Sequence, residues 1–148
     1  MNPQIFNDTM RKFGAPETII QQYEYWSVQL RPAQLTLGAL VLVAHEPVHA
    51  FSALSPASFA ELQKITGQIE SALIKAFQND KVNYLMLMMV DPDVHFHVIP
   101  RYAQPRLFDG ETFVDAGWPG VPDFGKTNAT DSAANQRIIE HLAVHWCS

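Results

Sequence analysis

Residues Asp91 to Tyr102 read DPDVHFHVIPRY, and the way this stretch is taken decides the fold. Side chains on a β-strand alternate between two faces. Val94, Phe96 and Val98 then share an apolar face suited to a core, while Asp93, His95 and His97 share the other. Same-face neighbours lie roughly 7 Å apart, so two imidazoles can touch one small ligand or ion. Pro100 is expected to end the strand. The DPD tripeptide is good turn chemistry, so the preceding run KVNYLMLMMV reads as the partner strand of a hairpin.

Working outward, the clearest element lies before that hairpin. Ser55 is placed to cap a helix with Pro56 at its first position. Phe59, Leu62, Ile65, Ile69, Leu73 and Phe77 then recur three or four apart as one apolar stripe, and Gln78-Asn79-Asp80 closes the helix. Upstream, LTLGALVLVA reads as a buried strand after the RPAQ turn. ETIIQQYEYWSVQL, from Glu17 to Leu30, reads as one or two strands. FNDTMRKFG reads as a short helix capped by Asn7 or Asp8 and stopped by Gly14. Downstream, the Pro- and Gly-rich stretch 100–128 is expected to be mostly ordered loop. A final helix opens at Thr130 or Asp131, with Ile138, Leu142 and His145 or Trp146 on its inner face. Helix, strands, long helix, hairpin, helix imply one α+β domain over 1–148, an antiparallel sheet with helices packed on it.

Composition bounds the function. The 148 residues are 47% apolar and 17% charged, which fits a globular chain and not a disordered one. A net charge of −5 without a basic run gives no general attraction to nucleic acid. No apolar stretch approaches the roughly 20 residues of a membrane span. The N-terminus lacks the layout of a signal peptide. Cys147 is the single cysteine, so no internal disulfide forms and a cytoplasmic, reducing setting is expected.

Three readings of the histidine pair compete on the residues alone. His95 and His97 are a pair of surface histidines beside a turn aspartate, or part of a metal site completed by Asp93 or by His45 and His49. The third reading is nucleophilic catalysis: an imidazole nitrogen attacks phosphorus while its other ring nitrogen is held as a donor. A second imidazole, if protonated, would stabilise the transferring oxygens.

The run Asp93-Val94-His95-Phe96-His97-Val98-Ile99-Pro100-Arg101 resembles the signature of the histidine triad family, three histidines alternating with apolar residues and often followed by Pro-Arg. Asp93 stands where the family has its first histidine. The resemblance covers roughly 3–102, with the Pro/Gly-rich loop and C-terminal helix of 103–148 outside it. It implies an antiparallel sheet of about five strands with one long helix and short terminal helices, commonly paired as a homodimer. It also implies hydrolysis or nucleotidyl transfer at a nucleotide phosphoanhydride, phosphoramidate or phosphoester, diadenosine polyphosphates among them. His95 would form the covalent nucleotidyl intermediate and His97 would contact phosphate, with no metal or other cofactor. Several family contacts are replaced: Ala39 stands where a further histidine is common, Arg31 at about the place of a ribose-binding acid, and the hairpin loop is read as shortened to DPD. A nucleotide-binding or regulatory dimer with weak or no catalysis is therefore the alternative.

Other residues carry two readings each. Asp93 orients a histidine or is only a turn residue. Arg101 binds phosphate in a bidentate way or is a solvated charge. Gln34 reaches the pocket or serves its turn. Asn83 is read as structural, and Met86, Met88 and Met89 as packing. His45 and His49 are placed at the surface, and His141 and His145 on a helix surface or dimer contact. Phe6, Phe13, Tyr25 and Trp26 line a base pocket or the core.

Overall fold

The computed structural model describes residues 6–146; Cys147 and the residues 1–5 of the N-terminal reading lie outside them. In chain order the elements are α1 (Asp8–Lys12), β1 (Ile19–Gln22), β2 (Trp26–Leu30), β3 (Leu40–Ala44), a 3-10 turn at Phe51–Ala53, α2 (Pro56–Phe77), β4 (Lys81–Leu85), β5 (His95–Arg101), β6 (Arg106–Phe108), β7 (Glu111–Phe113) and α3 (Ser132–Val144). Strands β1-β2-β3-β5-β4 form one antiparallel sheet, and β6 and β7 form a separate two-stranded one. The expected α+β class holds.

The long helix starts as its caps dictate. Ser55 accepts the Ser58 N–H, Pro56 takes the first turn, and Gln78 closes the helix in the left-handed region. Ile65, Ile69, Leu73 and Phe77 are buried against Trp26, Val28, Leu40, Leu42 and Val98. Phe59 departs from the expected stripe. It is 37% exposed and stacks edge-on with Phe51, itself exposed. At the other end, Gly38 has φ +87°, and a side chain there would meet the Phe77 ring at 3.0 Å.

Strand alternation divides the sheet. Leu40, Leu42 and Ala44 face α2, while Val41 and Val43 face the other way and are covered by Met10 and Phe13. The covering segment is the short helix, whose cap Asn7 accepts the Met10 N–H at 2.9 Å. Gln29 ties α1 down by donating to the carbonyls of Met10 and Phe13.

Three local expectations need correction. The hairpin turn is not DPD: β4 stops at Leu85 and β5 starts at His95, so the loop is 86–94, and Met88 turns the chain at φ +53°. Pro100 does not end its strand, which continues to Arg101. Pairing with β3 has already ended at Val98, so a residue without an N–H is tolerated there. The 100–128 stretch contains the hairpin β6–β7, turned by Asp109 and Gly110 with φ +53° and +81°. Asp-Gly between short β runs is a hairpin signal, and here it was legible. In α3, Asp131 is the cap. Ile138, Ile139 and Leu142 are buried, and Trp146 donates its indole N–H to the Tyr23 hydroxyl at 2.8 Å.

Candidate functional site

His95 and His97 sit side by side on β5, opposite Val43 and Val41 of β3. Their ring centroids are 5.3 Å apart. The Phe13 ring lies 5.8 Å from that of His97 and 6.4 Å from that of His95. The surface-pair reading fails, because only 2% of His95 and 7% of His97 is exposed. Both line a cavity of about 290 Å³. Lys12 and Phe13 close it from the end of α1, and Arg31 and Phe124 form another side. The loop after β4 supplies the wall from Leu87 to Asp91.

The two rings differ in chemistry. His95 Nδ1 is 2.7 Å from the Asp93 carbonyl oxygen. A carbonyl only accepts, so Nδ1 carries the hydrogen and Nε2 keeps the lone pair. His97 has its pKa lowered to about 4, first by burial, then by His95 and the Arg31 charge. Its Nδ1 is buried without a hydrogen-bond partner. The condition set for a second, protonated imidazole is not met near pH 7, because burial holds the His97 pKa well below the ordinary value.

Solved structures with this architecture can now be compared. A histidine triad protein from Sinorhizobium meliloti superposes with a TM-score of 0.74 at 21% identity, covering 95% of this chain and 96% of that one. One from Bradyrhizobium japonicum gives 0.74 at 20% identity, over 97% and 98%. The fold is that of histidine triad proteins. A zinc-bound histidine triad family protein from Mycobacterium smegmatis is similar at a TM-score of 0.62 and 17% identity, over 92% and 91%. No protein-family model and no curated protein sequence matches the chain.

Within this histidine triad fold, three candidates leave the site. The Asp93 carboxylate accepts from the Thr9 N–H at 3.3 Å and the Thr9 hydroxyl at 2.9 Å, binding the hairpin loop to α1. Only its backbone carbonyl serves His95. Arg101 is 95% buried at its side chain and forms a two-pronged pair with Asp115, at 2.7 and 3.1 Å. Asn83 accepts from it as well, at 2.7 Å. Arg101 is thus not a solvated charge; its guanidinium is satisfied within the protein. Gln34 is fully buried; it donates to the carbonyls of Arg31 and Ala39 and accepts the Gly38 N–H. It orders its own turn. Ala39 is buried with Leu35 and Ile99.

The remaining histidines have other partners. His45 is half-buried, not a surface residue: Nδ1 donates to the Glu24 carbonyl at 3.0 Å, so Nε2 accepts from the Ser27 hydroxyl at 2.6 Å. That is the geometry of a nucleophile and its base. Ser27 is 0% exposed, however, and no substrate reaches it. His49 comes within 3.9 Å of Asp93. Among the described residues no group of three His, Cys, Asp or Glu side chains is arranged to hold a metal ion. His141 lies between Phe77 and Phe108 and meets the Ala76 carbonyl at 3.1 Å.

Lys12, Arg31, Phe124 and the wall from Leu87 to Val90 were not singled out from sequence as ligand-binding. Met88 packs as expected, but Met89 is 86% exposed. Of the four aromatic candidates, Phe13 alone lines the cavity; Trp26 is core, its indole N–H bonded to the Ser58 carbonyl.

Proposed function

We propose that this protein performs histidine triad chemistry on a nucleotide or related phosphate ester, by hydrolysis or nucleotidyl transfer with His95 as the nucleophile. The carrying observation is the 2.7 Å contact between His95 Nδ1 and the Asp93 carbonyl. It leaves the other nitrogen with a lone pair in a cavity that also contains cationic side chains. In the proposed step a bond forms from Nε2 to phosphorus as the bond to the leaving group breaks. The leaving group departs with the electron pair and takes a proton from solvent. Water or an acceptor alcohol then attacks phosphorus, returns the pair to Nε2 and gives up a proton. The Nδ1–H donated to Asp93 steadies the positive charge on the ring while phosphorus is attached.

Trapping tests this reading. Acid-quenched, base-stabilised samples with an adenosine 5′-phosphoramidate are expected to show a nucleotidyl adduct on His95 by mass spectrometry. A substrate turned over with no adduct on His95 sinks the mechanism.

A second reading, a nucleotide-binding or regulatory protein with weak catalysis, is favoured by the neutral state of His97. Without that cation the transferring oxygens rely on other residues. We further propose a homodimer, since β4 is an open sheet edge and unpaired edge groups take a further strand. A cytoplasmic setting is consistent with the absence, among the described residues, of any helix long and apolar enough to cross a membrane.

A further inference from the structure

The two cations of the cavity are not equivalent. Lys12 Nζ lies 2.8 Å from the carboxylate of Asp91, another lining residue. Its charge is answered on the protein. Arg31 has no such answer. One of its terminal nitrogens donates to the Ala33 carbonyl at 2.8 Å, and the guanidinium stands 5.4 Å from the centroid of the Phe124 ring. Its Nε is buried with no hydrogen-bond partner. Among the described residues no carboxylate pairs with it. A buried, charged N–H without an acceptor is unfavourable, and native proteins seldom keep one unless something else supplies the oxygen.

We propose that Arg31 is the specificity-determining residue of this pocket, holding the oxygens of a substrate with one negative charge at phosphorus and an apolar substituent. This deepens the reading of His95 as nucleophile and rests on it. One uncompensated guanidinium matches one phosphoryl charge. A polyphosphate chain brings several, and the described lining residues offer no further free cation for them. His97 does not supply one, since burial and its neighbours keep it neutral.

The wall of the cavity points the same way. Leu87, Met89 and Val90 are 49, 86 and 81% exposed, and with Met88 they face the ligand space without a hydrogen-bonding side chain among them. An apolar group laid on them removes that surface from water. The volume of about 290 Å³ lies just under the roughly 300–1,000 Å³ usual for ligand pockets, so the space beside the histidines is compact.

The test compares two probes, an adenosine 5′-phosphoramidate of an aromatic amine and diadenosine tetraphosphate. The wild type is expected to favour the phosphoramidate by about tenfold or more in kcat/KM. Arg31→Gln should lower kcat/KM for the phosphoramidate about a hundredfold, the usual scale for one oxyanion donor. Arg31→Lys should lose about tenfold, since it keeps charge without the planar fork. A preference for the tetraphosphate overturns the proposal, as does Arg31→Gln within about twofold of wild type by the same scale. If Arg31→Gln fails to fold, Arg31→Lys decides on its own: full wild-type kcat/KM overturns the proposal. If neither probe turns over, the His95 reading has failed separately, and calorimetric binding of the phosphoramidate decides for Arg31. A Kd weakened about tenfold in Arg31→Gln supports it. An unchanged Kd, or no binding to the wild type, overturns it.

Discussion

Two polar clusters lie on the same face of β5. His95 and His97 form one, and Arg101, four residues beyond His97, forms the other. Both are buried, yet they are finished differently. Arg101 is met by both oxygens of Asp115 and by Asn83, and the second Asp115 oxygen also takes the Tyr102 N–H at 3.1 Å. At the histidines, His97 Nδ1 and the neighbouring Arg31 Nε have no partner. Buried polar groups are nearly always satisfied within the protein. The completed cluster reads as architecture, and the incomplete one is where the proposed ligand would supply the missing atoms. Both clusters are polar and buried, so the difference between them lies in which side-chain atoms are partnered.

The most severe way to break this comparison is His95→Ala. If the open cluster is catalytic, turnover should fall by about a thousandfold or more, as when a covalent nucleophile is removed. Circular dichroism and melting should stay near wild type. Unchanged turnover would place the chemistry elsewhere.

Asp115→Ala is the matching test at the closed cluster, and it should act on stability instead. Removing one partner of a buried ion pair leaves Arg101 uncompensated and costs about 3–5 kcal/mol. Urea denaturation should register that loss, while the folded fraction keeps its KM. A stable Asp115→Ala protein with a raised KM would reverse the assignment and return Arg101 to the substrate.

How far these clusters were legible in the sequence follows from the range of each interaction. Ser55, Pro56 and the stripe from Ile65 to Phe77 specify α2 through near neighbours, and the helix forms where that pattern puts it. The alternation at His95 and His97 likewise gives their shared face. Arg101 and Asp115 are 14 apart, and the β6–β7 hairpin that joins them carries no sign of which side chains will pair. Gln34 serves a turn whose shape only becomes apparent once Gly38 adopts positive φ. The hairpin loop is not legible because Leu85 to Val90 is apolar throughout, and an apolar run does not mark that the strand stops at Leu85. The setting of Arg31, beside Phe124 with its Nε unpartnered, depends on a residue far along the chain and is not legible locally.

A milder perturbation uses pH. The folded pKa of His97 is lowered to about 4 from 6.5, so the folded protein refuses a proton that the unfolded chain accepts. The stability from keeping this ring neutral is fully present above about 6.5 and is lost as pH falls through 4. Melting temperatures of wild type and His97→Gln should therefore converge or cross as pH drops across that window. Parallel curves would mean that His97 is not held neutral. Added inorganic phosphate would sharpen the same experiment, since an anion bound beside the ring would oppose the effect of burial.

The smallest expected effect falls on Asp93, two residues before His95. Its carboxylate and its carbonyl do separate jobs: the first holds Thr9, the second fixes the His95 tautomer. Asp93→Asn removes the charge and leaves the carbonyl in place. Stability should drop by about 1–2 kcal/mol, the scale of weakening a charged hydrogen bond. Turnover should stay within about threefold of wild type, which is below 1 kcal/mol of barrier. If the carboxylate instead acted on His95 directly, the same substitution would lower kcat strongly and shift its pH profile. The ratio of the two effects thus measures whether Asp93 belongs with the satisfied cluster at Arg101 or with the open one beside it.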